Sequence, residues 1–106
     1  MKTYPLADMV GGWFVGDFSP TVLRTGEFEV AVKHYASGAR EPRHHHEVAE
    51  EITVIVSGRA RMCGRIVEAG TIVHLAPNES TDFEAMDETL TVVVKRPSLQ
   101  GDKYLD

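Results

Sequence analysis

The feature that most constrains this chain is a rhythm of short apolar or alternating runs, each closed by turn residues, at intervals near ten residues. Phe28 to Tyr35 is the first clear run, ended by Ser37-Gly38, and Ile52 to Val56 follows, ended by Ser57-Gly58. Arg59 to Met62 and Arg65 to Val67 flank Cys63-Gly64 and read as a hairpin. Thr71 to Leu75 lies between Gly70 and the turn Ala76-Pro77-Asn78-Glu79, and Thr81 to Met86 and Thr89 to Lys95 are joined by Asp87-Glu88. No helical period competes with this pattern, so an all-β sandwich or barrel is expected. No linker or repeat divides the 106 residues, which suit one domain, residues 1–106, with one modest core. The segment Ala39 to Glu51 is the one long connection rich in ligand-type side chains.

Strand alternation predicts which residues face inward. In the first run Phe28, Val30, Val32 and His34 share an apolar face, which is expected to point inward and carry His34 with it. Glu51 groups with Thr53 and Ile55, leaving Ile52, Val54 and Val56 on the opposite face. If Glu51 is interior, that apolar face needs cover, and a homodimer supplies it. His74 shares a face with Ile72, and Thr81, Phe83 and Ala85 form an apolar face that turns Asp82 outward.

Chemistry concentrates in Gly38 to Gly58. His44 and His46, one residue apart on extended chain, put both imidazoles on one face, and a carboxylate on the following strand completes a triangular site. Two imidazoles and one carboxylate hold a divalent metal while leaving other positions open for Lewis-acid or redox chemistry. His45 alternates away from this face and reads as a neighbouring or surface residue.

This spacing resembles the first motif of the cupins, G-x5-H-x-H-x4-E-x6-G, matched at Gly38, His44, His46, Glu51 and Gly58. The distance to Gly58 selects Glu51 over Glu50 as the ligand. The resemblance covers about residues 25–96 and implies a double-stranded β-helix, a jelly-roll barrel. The second cupin motif is degraded: with its first glycine at Gly70, Ala76 stands at the proline, Asn78 at the second glycine and Thr81 at the histidine. The family's fourth protein ligand is therefore missing. Water, substrate, or one of two histidines expected to face inward, His74 ahead of His34, would take its place.

The charge balance points to nothing more specific than a soluble protein. Eleven basic against sixteen acidic residues give a net charge of −5, which disfavours nucleic acid and anionic membranes as partners. A single cysteine, Cys63, makes no internal disulfide, and no signal-like apolar run opens the chain, so a cytoplasmic location is expected. The aromatic stretch with Trp13, Phe14 and Phe18 reads as a strand capping the core, or as a wall of the pocket or of a dimer contact. The leading functional expectation is a metal-dependent enzyme, of isomerase or dioxygenase type, acting on a small polar oxygen-bearing metabolite such as a sugar or carboxylate. The metal could be Fe, Mn, Ni, Co or Zn, and His34 or His74 would transfer the proton. The alternative is a non-catalytic small-molecule or sugar-binding module whose metal site is weak or vacant.

Overall fold

The computed structural model describes all 106 residues. Ten strands form two five-stranded antiparallel sheets. They are β1 (Trp13–Val15), β2 (Glu29–Tyr35), β3 (Arg40–His45), β4 (Glu50–Ser57), β5 (Arg59–Met62), β6 (Arg65–Glu68), β7 (Ile72–Leu75), β8 (Thr81–Ala85), β9 (Thr89–Arg96) and β10 (Tyr104–Leu105). One sheet has the order β1-β2-β9-β4-β7 and the other β10-β3-β8-β5-β6. Apart from the β1–β2 and β5–β6 pairs, successive strands switch between sheets, the winding of a jelly-roll barrel. No helix is long and apolar enough to cross a membrane.

The runs read from the sequence form strands within a residue or two of their expected ends. The segment Ala39 to Glu51 is a correction: Arg40–His45 of it is β3, paired with β8, and its last two residues open β4. Pro42 does not prevent this, because the register shifts between Glu41 and His44 and the proline falls at that bulge, where no ladder N–H is required. The hairpin β5–β6 turns on Cys63 and Gly64, both at positive φ (50° and 73°), as a two-residue hairpin turn demands. The Cys63 N–H donates to the Asp82 carboxylate at 2.9 Å, which holds a non-glycine residue in that conformation.

The barrel is packed at one end and open at the other. Ala60, Met62, Phe83 and Ala85 form the buried cluster, with Tyr35, Ala39, Val67 and Val73 against it. The Tyr35 and Phe83 rings meet with centroids 4.4 Å apart and floor the cavity above. The facing of β2 is the reverse of the expected one. Glu29 and Ala31 are buried, and Lys33 and Tyr35 line the cavity, while Val30 and Val32 lie on the outer face. The facings of β4 and β8 are as expected: Thr53, Ile55, Thr81, Phe83 and Ala85 are buried, and Asp82 is exposed.

Candidate active site

The bulge in β3 brings His44 and His46 into the open end of the barrel, both with less than a tenth of their surface exposed. The Nδ1 of His44 lies 3.0 Å from the Pro42 carbonyl, and that of His46 lies 2.6 Å from the Asp102 carbonyl. A carbonyl only accepts, so Nδ1 carries the proton in both rings, and in its neutral form such a ring offers a bare Nε2. The two rings stand edge to face with centroids 5.4 Å apart. Glu51, on β4 of the other sheet, places Oε1 3.9 Å from the His46 Nε2. Burial pushes the His46 imidazole below its ordinary pKa, and the Lys95 ammonium adds to this. Burial pushes the Glu51 carboxyl up, with Lys95 opposing.

Carbonyl-anchored imidazoles with free Nε2 atoms and a carboxylate beside one of them match a divalent transition metal in donor type and in tautomer. No three imidazole, thiol or carboxylate groups stand in a ready-made coordination cluster, so the fit lies in the chemistry of the donors. Thr81 lies directly across the ladder from His44, buried, with its hydroxyl turned to the Asp82 carbonyl at 2.7 Å.

Asp102 is the residue that sequence reasoning missed. Besides its carbonyl contact to His46, its carboxylate accepts the backbone N–H groups of Glu47, Val48 and Ala49 at 2.9–3.2 Å. Burial pushes this carboxyl up, but the three N–H groups and His46 outweigh it and leave its pKa below the ordinary value. The segment after β9 carries no periodicity, so only the packed chain reveals that it doubles back onto the histidine segment. β10 then pairs with β3, and Tyr104 stacks on His45, whose Nδ1 meets Asp106 at 2.6 Å.

His34 and His74 correct two further expectations, because both point out of the barrel. His34 lies 3.4 Å from Glu88 with 61% of its side chain exposed. His74 lies 2.8 Å from Glu50, its side chain 59% exposed, and Glu50 is also bound by Arg96. The physical reason is that the Val30-Val32-His34 face of β2 is the outer one, while on β7 Val73 packs against the core and turns Ile72 and His74 outward. Neither imidazole is placed for proton transfer in the cavity, nor to stand in for the ligand missing at Thr81.

The cavity itself has a volume of about 390 Å³. Its wall on the β2-β9-β4 sheet carries a row of charge set by register, with Lys95 opposite Glu29 on one side and Glu51 on the other. Lys95 Nζ lies 3.7 Å from Glu29 Oε2. Trp13, from β1, closes over this wall with the Lys33 and Lys95 ammonium groups 5.3 and 5.4 Å from its ring centroid. The Tyr35 hydroxyl donates to Glu41 at 2.8 Å, and burial, followed by Glu41, pushes its pKa up, so it stays protonated.

Comparison with family sequence models and with curated proteins gives no match. Solved structures do match. A conserved protein with a double-stranded β-helix domain from Klebsiella pneumoniae superposes with a TM-score of 0.73 at 21% identity, over 98% of this chain and 90% of that one. The DMSP lyase DddQ from Ruegeria pomeroyi gives 0.70 at 22% identity, over 86% of this chain and 48% of that one. A cupin protein from Bacteroides fragilis gives 0.58 at 28% identity, over 73% of each chain. A sugar phosphate isomerase, an oxalate decarboxylase and a polyketide cyclase share the architecture as well.

Proposed function

We propose that this chain, whose fold is the cupin double-stranded β-helix, binds a divalent metal through His44, His46 and Glu51 and uses it as an enzyme on a small polar, oxygen-bearing metabolite. The observation that carries this reading is the tautomer of the two histidines: both give Nδ1–H to a carbonyl, which leaves Nε2 to face a metal, and Glu51 stands beside the Nε2 of His46. A bound metal would supply polarisation of adjacent carbonyl, hydroxyl or carboxylate oxygens. The protein's own groups do the rest. Met62, Phe83 and Tyr35 exclude water from the floor, and the cavity, near the lower end of the usual ~300–1,000 Å³ for ligand sites, restricts the substrate to the size of a monosaccharide or smaller. With His34 and His74 outside, proton transfer falls to other groups lining the cavity, Glu29 and the Tyr35–Glu41 pair among them. Isomerisation and oxygen-dependent cleavage both suit such a site.

The outward histidines and the threonine at position 81 also favour a second reading, a module that binds such a ligand without turning it over. One experiment addresses both. Untagged protein purified without chelator is analysed for metal, as wild type, His46→Ala and His45→Ala, then screened with metabolites by thermal shift and for turnover. Loss of metal in His46→Ala with retention in His45→Ala supports the site, and equal loss in both, or full metal in His46→Ala, refutes it. A stabilising metabolite that is not consumed gives the binding module.

A further inference from the structure

Beside the donor set stands a second constellation that metal chemistry does not need: Glu29, Lys33 and Lys95 beneath Trp13. Lys95 is sealed in the wall, with 11% of its side chain exposed, yet its nearest carboxylate oxygen is 3.7 Å away, too far for a good hydrogen bond. Lys33 enters no ion pair and rests on the indole instead. Two ammonium groups are thus held against one ring, where each raises the electrostatic cost of the other and an anion would relieve both. Glu29 is 5% exposed, and its Oε1 is buried with no hydrogen-bond partner. A carboxylate oxygen in that state carries the cost of desolvation without a compensating donor, and Glu29 is one of the residues lining the same cavity.

We infer that this wall is a subsite for a small hydroxy acid, in which Lys33 and Lys95 take the carboxylate and Glu29 accepts a hydrogen bond from a neighbouring hydroxyl. A neutral polyol could satisfy Glu29 but would leave both ammonium groups without a counter-charge. A simple anion lacking a hydroxyl would leave Glu29 orphaned. The inference deepens the reading of the pocket as a small-metabolite site, and it holds with or without the metal. With Glu41 and Glu51 counted beside Glu29, the two lysines leave the wall one charge negative, and a divalent cation at the histidines would make it one charge positive. Metal and hydroxy acid would therefore favour each other's binding.

Trp13 is the chain's only tryptophan, so its fluorescence reports on the subsite directly. The protein is titrated at matched ionic strength with gluconate against sorbitol and with lactate against propane-1,2-diol, pairs that differ only by a carboxylate in place of CH2OH. The acids should bind at least about tenfold more tightly, equivalent to ~1.4 kcal/mol, and Lys33→Met should erase that preference. Lys95→Met should do the same. Should loss of the buried charge prevent that variant from folding, Lys33→Met alone decides. Equal response to acid and polyol, including no response to either, overturns the inference, and so does a preference that survives Lys33→Met. Metal content measured on the same samples separates the two readings. Metal bound without preference for acids overturns the subsite alone, whereas preference for acids in protein unable to take up metal supports the subsite and refutes the metal centre.

Discussion

Asp102 holds His46 from two directions: its carbonyl receives the imidazole Nδ1–H at 2.6 Å, and its carboxylate gathers the backbone N–H groups of the segment immediately after that histidine. One residue from the segment after β9 therefore fixes both the tautomer of a proposed metal ligand and the path of the chain leading to Glu51. Outer partners of this kind set ligand orientation and basicity.

The first prediction concerns that residue. Asp102→Ala leaves buried backbone donors without an acceptor, at about 1–3 kcal/mol for each that water cannot reach, and lets the His46 segment move. Metal affinity should fall roughly 10- to 100-fold, and the melting temperature should fall by several degrees or more. Asp102→Asn keeps an acceptor oxygen and should lie between. Metal titration and thermal melts on the three proteins check this, and unchanged affinity in Asp102→Ala would show that the loop does not govern His46.

Thr81 stands across the ladder from His44, facing the cavity, at the position where the cupin motif has its histidine. Thr81→His should tighten metal binding by about 10- to 100-fold, counting 1.4 kcal/mol per decade. It should also suppress any activity that needs the open position. His74→Ala should leave affinity unchanged, because that ring lies outside with Glu50. Competition with a chromogenic chelator measures both, and the reverse pattern would place His74 in the coordination sphere after all.

The outer face of the β2-β9-β4-β7 sheet lines up Val30, Val94 and Ile52 in one row and Val32, Val92, Val54 and Ile72 in the next. Seven branched apolar side chains on one sheet face make a contiguous patch of the kind that marks an interface, and a homodimer is the expected cover. Val54→Lys should convert the dimer to monomer or aggregate in sizing with light scattering. A wild-type mass near 11.7 kDa at micromolar concentration would refute the dimer.

Two glycines of the motif should respond differently to alanine. Gly38 and Gly58 share a left-handed backbone, with φ of 88° and 84°. A Cβ on Gly38 would meet nothing within 4 Å, whereas one on Gly58 would sit 2.2 Å from the Glu88 carbonyl oxygen. Gly38→Ala should cost ~1–2 kcal/mol, the left-handed penalty alone, and Gly58→Ala distinctly more. Urea melts with matched slopes test this, and equal midpoints would mean that the β9 approach yields without cost.

The strands and the inward facing of His44, His46, Glu51 and Thr81 toward one cavity were legible because turn residues, alternation and motif spacing are local signals. The facing of β2 was not. Apolar-inward is the right rule for a barrel with a dry core, but here the interior is lined with Glu29, Lys33 and Tyr35, and the greasier face is outside. The sequence Glu-Val-Ala-Val-Lys-His-Tyr fits either orientation, and only pairing with β9 decides, because it sets Glu29 opposite Lys95. His34 and His74 were misplaced by the same inference. Asp102 left no trace in the sequence, since an irregular segment gains its role only from what it lands on.

The position of β9 has a kinetic side. It is the central strand of its sheet, flanked by β2 and β4, and it brings Lys95 between two carboxylates contributed by residues far upstream. Pairings so distant along the chain form late and slowly, so the charged wall and the apolar outer rows come into being in the same event. Opening β9 would dismantle them together. A ligand lodged in the cavity should therefore slow amide exchange across β2, β9 and β4 as one cooperative block, rather than only in the residues it touches.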